Sequence, residues 1–358
     1  MRSELFKKVT RIVVKLGTGV LTNAQKQPHF EQMEQLVAQV AREQKTGKEV
    51  LIVTSGAVGA GMGVLGFNKR PPSLDLLQAC AAIGQSRLMA TYERLFAQHD
   101  LNIAQVLLTH DDLQHHERHL NARNTLVTLL RNRIIPIVNE NDAVSVTELK
   151  FGDNDRLSAL VACLLPADLL LIATTVDGFI ENFGTPQAKT VSCVDQIDAS
   201  VEAAAGGTAS ATAVGGMATK IHAAKIAVRA GIPLVVASGL KKNVLRRVLD
   251  GEDEGTLFAP SCKGLKGRKR WIAFFHHPQG TFRVDPGAQF ALRERGTSLL
   301  RPGITRVEGC FEKGDVVRIC DSEGSEFARG LSRLSSSQCA ESPGSRSVVV
   351  HRDDLVVF

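Results

Sequence analysis

A chain of 358 residues, 44% hydrophobic and 22% charged, is long enough for two or three domains and rich enough in apolar side chains to fill a core, which excludes a disordered or fibrous polypeptide. Seven irregularly spaced cysteines without a Cys-x-x-Cys pair argue against a disulfide framework or zinc knuckle and for a reducing, cytoplasmic compartment. No apolar run approaches the roughly 20 residues of a membrane helix, Lys7, Lys8, Arg11 and Lys15 interrupt any signal-peptide core, and the net charge of +6 is concentrated in residues 261–358, which hold 16 Lys+Arg against 11 Asp+Glu.

Through residue 260 the chain alternates between strand and helix patterns. Short β-branched or aliphatic runs predict strands over 11–15, 49–54, 103–108, 134–139, 169–174 and 233–237. Between them, helical spacing covers 32–45, 75–98 (with a break expected near Gly84), 120–132, 158–165 and 220–230. Such alternation predicts an α/β domain, a largely parallel open sheet covered by helices on both faces. The Gly-rich and charged stretch at 250–270 reads as a hinge, and short strand patterns follow at 271–275, 281–284, 316–320, 327–331 and 348–350. The expected division is residues 1–260, a linker over 261–275 and a small, mostly β domain over 276–358.

Three motifs mislead. Gly61, Gly63 and Gly66 fit G-x-G-x-x-G, yet the preceding strand ends too early for a dinucleotide turn and no acidic residue stands about 20 positions on. His351-Arg352-Asp353 has only five residues after it. His115 and His119 are one helical turn apart without a third ligand, which suits a solvated helix face. A P-loop sequence is absent.

Four segments carry chemistry, each after a predicted strand, where an open parallel sheet places its crevice. Lys15-Leu16-Gly17-Thr18-Gly19 ends a strand in a lysine and a turn without bulk, so backbone N–H groups and a cation can meet phosphate; it also suits a plain tight turn. Thr54-Ser55-Gly56-Ala57 offers a hydroxyl and free amides for a carboxylate, or simply a capped helix start. Asn139-Glu140-Asn141-Asp142 and 151–155 (F-G-D-N-D) form a polar cluster that is costly to bury without partners, suited to an amino group, to positioning lysines or to Mg²⁺ with bound phosphates; an acidic surface loop is the alternative. Gly215-Gly216-Met217-Ala218-Thr219-Lys220 opens a helix, where amides and the lysine can neutralise phosphate.

Together, in this order, these segments resemble the glutamate 5-kinases of the amino acid kinase family, with V-V-K-L-G-T, V-T-S-G-A, Leu120-Asn121-Ala122-Arg123, N-E-N-D-A-V, F-G-D-N-D and G-G-M-A-T-K as the shared stretches. Lys269-Arg270-Trp271, Val284-Asp285-Pro286-Gly287-Ala288, 295–300 and Gly314-Asp315-Val316-Val317 resemble the PUA domain found in many of them. The resemblance implies a three-layer αβα sandwich with a PUA-like domain, and transfer of the ATP γ-phosphate onto the side-chain carboxylate of L-glutamate, the first step toward proline. It implies that Lys15 and Lys220 contact the phosphates and that Asp155 orients them. Ser55, Asp142 and Asn154 hold glutamate, with Asp142 on its α-ammonium. Asp153 helps through metal or loop. Gly17, Thr18, Thr174, Thr175, Val214, Gly215, Gly216, Met217, Ala218 and Thr219 line the ATP site with the two lysines. Mg²⁺ rides on the phosphates, without assigned protein ligands. Proline as a feedback inhibitor, a homo-oligomer, RNA as a candidate partner of the basic domain, and no membrane association complete the implied partners. Departures from the family pattern at Thr175, Val214 and 179–184 fall on the nucleotide side. The competing readings are an RNA-binding protein with a decayed kinase domain and a related kinase acting on another small carboxylate.

Overall fold

The computed structural model describes residues 2–23, 28–144, 154–206, 216–260, 267–274, 278–341 and 347–358. The chain divides into two compact units, Met1–Gly264 and Leu265–Phe358.

The first unit is built on an eight-stranded sheet. Its strands are β1 (Arg11–Leu16), β2 (Glu49–Val53), β3 (Ile103–Leu108), β4 (Ile135–Glu140), β5 (Leu169–Thr174), β8 (Cys193–Val194), β9 (Leu234–Ser238) and β10 (Thr256–Phe258); β6 (Ile180–Glu181) and β7 (Lys189–Thr190) form a separate hairpin. The spatial order is β3-β4-β2-β1-β5-β9-β10-β8, and only the β9–β10 pairing is antiparallel. Adjacent strands run in near register, Lys15 lying between Val53 and Ile172, so their C-terminal ends form one edge.

Strand periodicity decides what each face carries. Ile12, Val14 and Leu16 join Val50, Ile52, Ile135 and Ile137 in a core with Leu36 and Val40 of the helix Phe30–Lys45 and Tyr92 and Phe96 of the helix Leu74–Ala97. Val13 and Lys15 therefore face the other way, toward the helix Asn154–Leu164, which in turn packs on the helix Met217–Arg229. The buried residues on both faces are mostly the apolar ones that the alternating pattern predicts; the polar exceptions include Lys15, Thr54, Asn139 and Asp155.

The helix Leu74–Ala97 runs unbroken through Gly84. Gly84 is needed for contact: a Cβ there would stand 1.7 Å from the Ala57 carbonyl oxygen, and one on Gly61 1.8 Å from that of Cys80. Of the three glycine-motif residues, Gly61 has a packing explanation, seating the helix Ala57–Val64 against its neighbour, while a Cβ on Gly63 or Gly66 would meet nothing within 4 Å.

In the second unit, β11 (Gly280–Val284), β12 (Leu299–Leu300), β13 (Ile304–Gly309), β14 (Val316–Cys320), β15 (Glu326–Ser332) and β16 (Val348–Val357) make a sheet of order β12-β16-β15-β14-β11-β13. Phe282 and Phe311 meet edge to face at 5.4 Å in its core. Of the strand expected over 271–275, residues 271–274 are instead part of the helix Gly267–Phe274 and Phe275 lies outside the described residues; a single short apolar run does not distinguish strand from helix. A further helix, Pro286–Arg295, is capped by Asp285, whose side chain accepts from the Ala288 amide at 2.7 Å, and ends on Gly296 at φ 59°.

Gly84→Ala is expected to lower stability by about 1–3 kcal/mol through overpacking of backbone on backbone, whereas Gly63→Ala on the open face should raise it by about 0.5–1 kcal/mol. Urea-denaturation midpoints compare the two; an unchanged midpoint for Gly84→Ala would contradict the close helix contact.

Candidate active site

Three chain segments converge on Asp155. Lys15 comes from the end of β1, Asp155 from the first turn of the helix Asn154–Leu164, and Lys220 from the first turn of the helix Met217–Arg229. The Lys15 Nζ stands 2.6 Å from Asp155 Oδ1, and the Lys220 Nζ 3.0 Å from Oδ2. The Thr219 hydroxyl lies 3.0 Å from the same Oδ2 and 2.7 Å from the Gly216 carbonyl oxygen. Both lysines are 5% exposed and Asp155 is fully buried. Burial opposes ionisation of this carboxyl, but the two ammonium groups outweigh it and hold Asp155 below the usual carboxylate range. Two cations around one anion leave a net positive charge at the end of the sheet.

The helix Met217–Arg229 begins at Gly216 with no side-chain cap, so first-turn amides point outward beside Lys220. Nearby, the Gly17 amide donates to the Ala173 carbonyl at 3.1 Å, binding the turn after β1 to β5. A Cβ on Gly17 would come to 3.3 Å from that oxygen, and one on Gly19 to 2.9 Å from Thr175 Cγ2, so both positions sit tightly against β5 and the residue that follows it. Thr18 and Thr175 are exposed, Thr174 is half-buried, and Thr174 pairs with Ser238 across β5 and β9. Met217 and Thr219 are half-buried and Ala218 is exposed. This side combines cations, first-turn amides that have no intrahelical partner and glycines without side chains, the set of features suited to a polyphosphate.

On the other side of Lys15, the end of β2 leads into Thr54 and buried Ser55, and Gly56 turns the chain at φ 99° into the helix Ala57–Val64. Asn154 donates through Nδ2 to the Thr54 carbonyl oxygen and, at 2.7 Å, to Asn139 Oδ1. Asp142 lies in the turn after β4, half-buried. Ser55, Asp142 and Asn154 thus follow the C-terminal ends of β2 and β4 or open the helix beside Lys15. Asp153, Val214 and Gly215 lie outside the described residues.

Sequence reasoning singled out the Thr54 and Asn139 segments but not the groups behind them, Gln85, Gln105 and Tyr92. Asn139 Nδ2 donates to Gln85 Oε1 at 2.8 Å, and Gln85 Nε2 to Gln105 Oε1 at 3.1 Å. Tyr92 OH and Thr54 Oγ1 are 2.8 Å apart. Burial pushes the Tyr92 phenol up, only partly offset by its hydrogen bond with Thr54, so it keeps its proton. The signal for Gln85 was available: its spacing places a polar residue on the buried stripe of Leu77, Cys80, Ala81, Gly84 and Leu88.

Among the described residues no group of three His, Cys, Asp or Glu side chains is arranged to hold a metal, and no helix is long and apolar enough to cross a membrane.

Comparison with known proteins agrees with this geometry. Residues 10–238 match the amino acid kinase family and residues 280–353 the PUA domain. The chain is 47% identical to the glutamate 5-kinase of Citrifermentans bemidjiense and 44% identical to that of Pelobacter propionicus, in each case over 100% of both chains. It is 44% identical to the glutamate 5-kinase of Moorella thermoacetica over 97% of this chain and 96% of the relative. With its paired lysines on a buried aspartate and full-length likeness of this degree, the chain belongs to the amino acid kinase family, among the glutamate 5-kinases.

Proposed function

We propose that this protein phosphorylates the side-chain carboxylate of L-glutamate with ATP, giving L-glutamyl 5-phosphate for proline synthesis. The observation that carries the reading is the buried Lys15–Asp155–Lys220 arrangement at the sheet end, flanked by an uncapped helix N-terminus on one side and the Thr54–Ser55 and Asn139–Asp142 segments on the other.

Carboxylate phosphorylation brings two anions together, so the first requirement is neutralisation. Lys15, on the central strand between β2 and β5, stands between the two half-sites and is suited to bridge the acceptor carboxylate and the transferring phosphoryl group. Lys220 approaches from the nucleotide side. Asp155 uses both oxygens on the ammonium groups, fixing their positions before substrate arrives and sparing the transition state that reorganisation. ATP fits the amides after Gly216 and the Gly17-Thr18 turn. Mg²⁺, when bound with ATP, would supply further charge neutralisation on the phosphate oxygens. Ser55, Asp142 and Asn154 hold glutamate, Asp142 by charge on the α-ammonium. The same reading carries the cytoplasm as compartment, a homo-oligomer as assembly and proline as a ligand that limits the reaction.

Lys220→Ala is expected to cut turnover about 10²–10³-fold, the usual cost of removing one group that stabilises developing charge, while the circular dichroism spectrum stays native. A near-normal rate would remove Lys220 from the mechanism.

Trapping the acyl phosphate with hydroxylamine in the presence of Mg²⁺ and ATP should give hydroxamate with L-glutamate. Aspartate, one methylene short, and N-acetylglutamate, without the ammonium, should give little. No product with any acceptor, together with salt-dependent RNA binding, would favour a binding protein over an enzyme.

A further inference from the structure

Asn154 uses both hydrogens of its amide inward, on the Thr54 carbonyl oxygen and on Asn139 Oδ1. No hydrogen bond among the described residues engages its Oδ1, and the residue as a whole keeps 9% exposure. The orientation of the Asn139 amide is set by a partner of fixed polarity: the Glu140 backbone N–H can only donate, and it reaches Asn139 Oδ1 at 2.9 Å. Asn139 Nδ2 must then find an acceptor, which is Gln85 Oε1. Gln85 Nε2 donates onward to Gln105 Oε1. Donation therefore runs one way along the chain, from Asn154 through buried Asn139 and Gln85 to exposed Gln105. Reversing Asn154 would set its oxygen against the Thr54 and Asn139 oxygens.

We propose that this directed amide chain, anchored by Gln85, presents the Asn154 carbonyl oxygen as the acceptor for the α-ammonium of the substrate, and that Gln85 is a positioning residue for amino-acid choice. The proposal rests on the reading of Ser55, Asp142 and Asn154 as the glutamate site. An ammonium only donates, so an oxygen held toward it attracts while an NH₂ held toward it repels. A buried amide network with a missing partner leaves a donor unsatisfied, and Asn139 is 1% exposed. Without the Gln85 acceptor, buried Asn139 Nδ2 has no partner, and the Asn139 amide shifts from its place to regain one, which loosens the Oδ1 acceptor that holds Asn154. Substrates without an amino group have nothing to lose from this, which makes the preference for L-glutamate over glutarate the informative quantity.

The experiment uses the full chain, Mg²⁺ with ATP, and hydroxylamine trapping. Unaltered protein comes first: absence of hydroxamate with L-glutamate overturns the glutamate reading itself, and the proposal with it. Given activity, Gln85→Met, near in size and lacking the amide, should raise KM for L-glutamate about tenfold. It should leave KM for ATP within about twofold, and lower the kcat/KM preference for L-glutamate over glutarate by the same factor as the KM change. Gln85→Glu should restore the preference, because its carboxylate accepts from Asn139 while exposed Gln105 turns its amide to donate. An unchanged preference in Gln85→Met, a parallel rise in both KM values, or a Gln85→Glu enzyme that has lost the preference overturns the proposal. The Gln85→Glu result decides by itself if Gln85→Met does not fold.

Discussion

Burying Asp155 between Lys15 and Lys220 is the constraint on which the site depends. A carboxylate taken fully out of water is unfavourable by several kcal/mol unless paired, and here each oxygen has its own ammonium partner. The pairing works in both directions. The lysines keep Asp155 ionised, and Asp155 keeps two cations close enough together to act on one group. Without the shared anion, ammonium groups from β1 and from the helix Met217–Arg229 would repel one another. With it, they carry a net positive charge that is already assembled when anions arrive.

The fold makes that pairing possible through strand alternation and strand order. Lys15 points to the face covered by the helices Asn154–Leu164 and Met217–Arg229 because Ile12, Val14 and Leu16 occupy the other. β1 lies between β2 and β5, so the turn after it touches both half-sites, the one formed after β2 and β4 and the one formed after β5 and β9. The Gly61 and Gly84 contact belongs to the same logic. Backbone contact between the helices Ala57–Val64 and Leu74–Ala97 brings Gln85, the residue after Gly84, within reach of Asn139. Tyr92, seven residues on and so on nearly the same helix face, reaches Thr54.

What could be read from the sequence followed from how local the signal was. The parallel strands and the four segments after them were legible because aliphatic runs ending in glycine, lysine or acidic residues are short-range patterns. Lys15, Asp155 and Lys220 were each visible singly, while their meeting depends on contacts 65 and more residues apart. Gln85 was overlooked because a glutamine in a 24-residue helix looks like surface, as Gln78 in the same helix does, until the buried stripe is drawn through it. Gly84 was read as a break since glycine weakens helices, but its role is tertiary. The helix Pro286–Arg295 carries explicit signals, an Asp N-cap before proline and a glycine at the end, which the strand-rich surroundings obscured. The helix Gly267–Phe274 has no comparable signal, and only packing separates it from a strand.

The two faces of the sheet supply different kinds of chemistry to the same edge. The face that bears Asn154–Leu164 and Met217–Arg229 contributes full charges, through Lys15, Asp155 and Lys220. The opposite face contributes neutral dipoles: Ile137 and Ile52 point into its core, and by the same alternation Asn139 and Thr54 point toward the helix Leu74–Ala97, where Gln85 and Tyr92 meet them. This division matches the demands of carboxylate phosphorylation. Charge is redistributed among the phosphoryl and carboxylate oxygens during transfer, so groups acting there must be cations held rigidly in place. The α-ammonium keeps its charge throughout, so binding it tells one substrate from another without lowering the barrier. Oriented amides serve that task beside the charge of Asp142, because they fix which groups face the ammonium without taking part in the transfer.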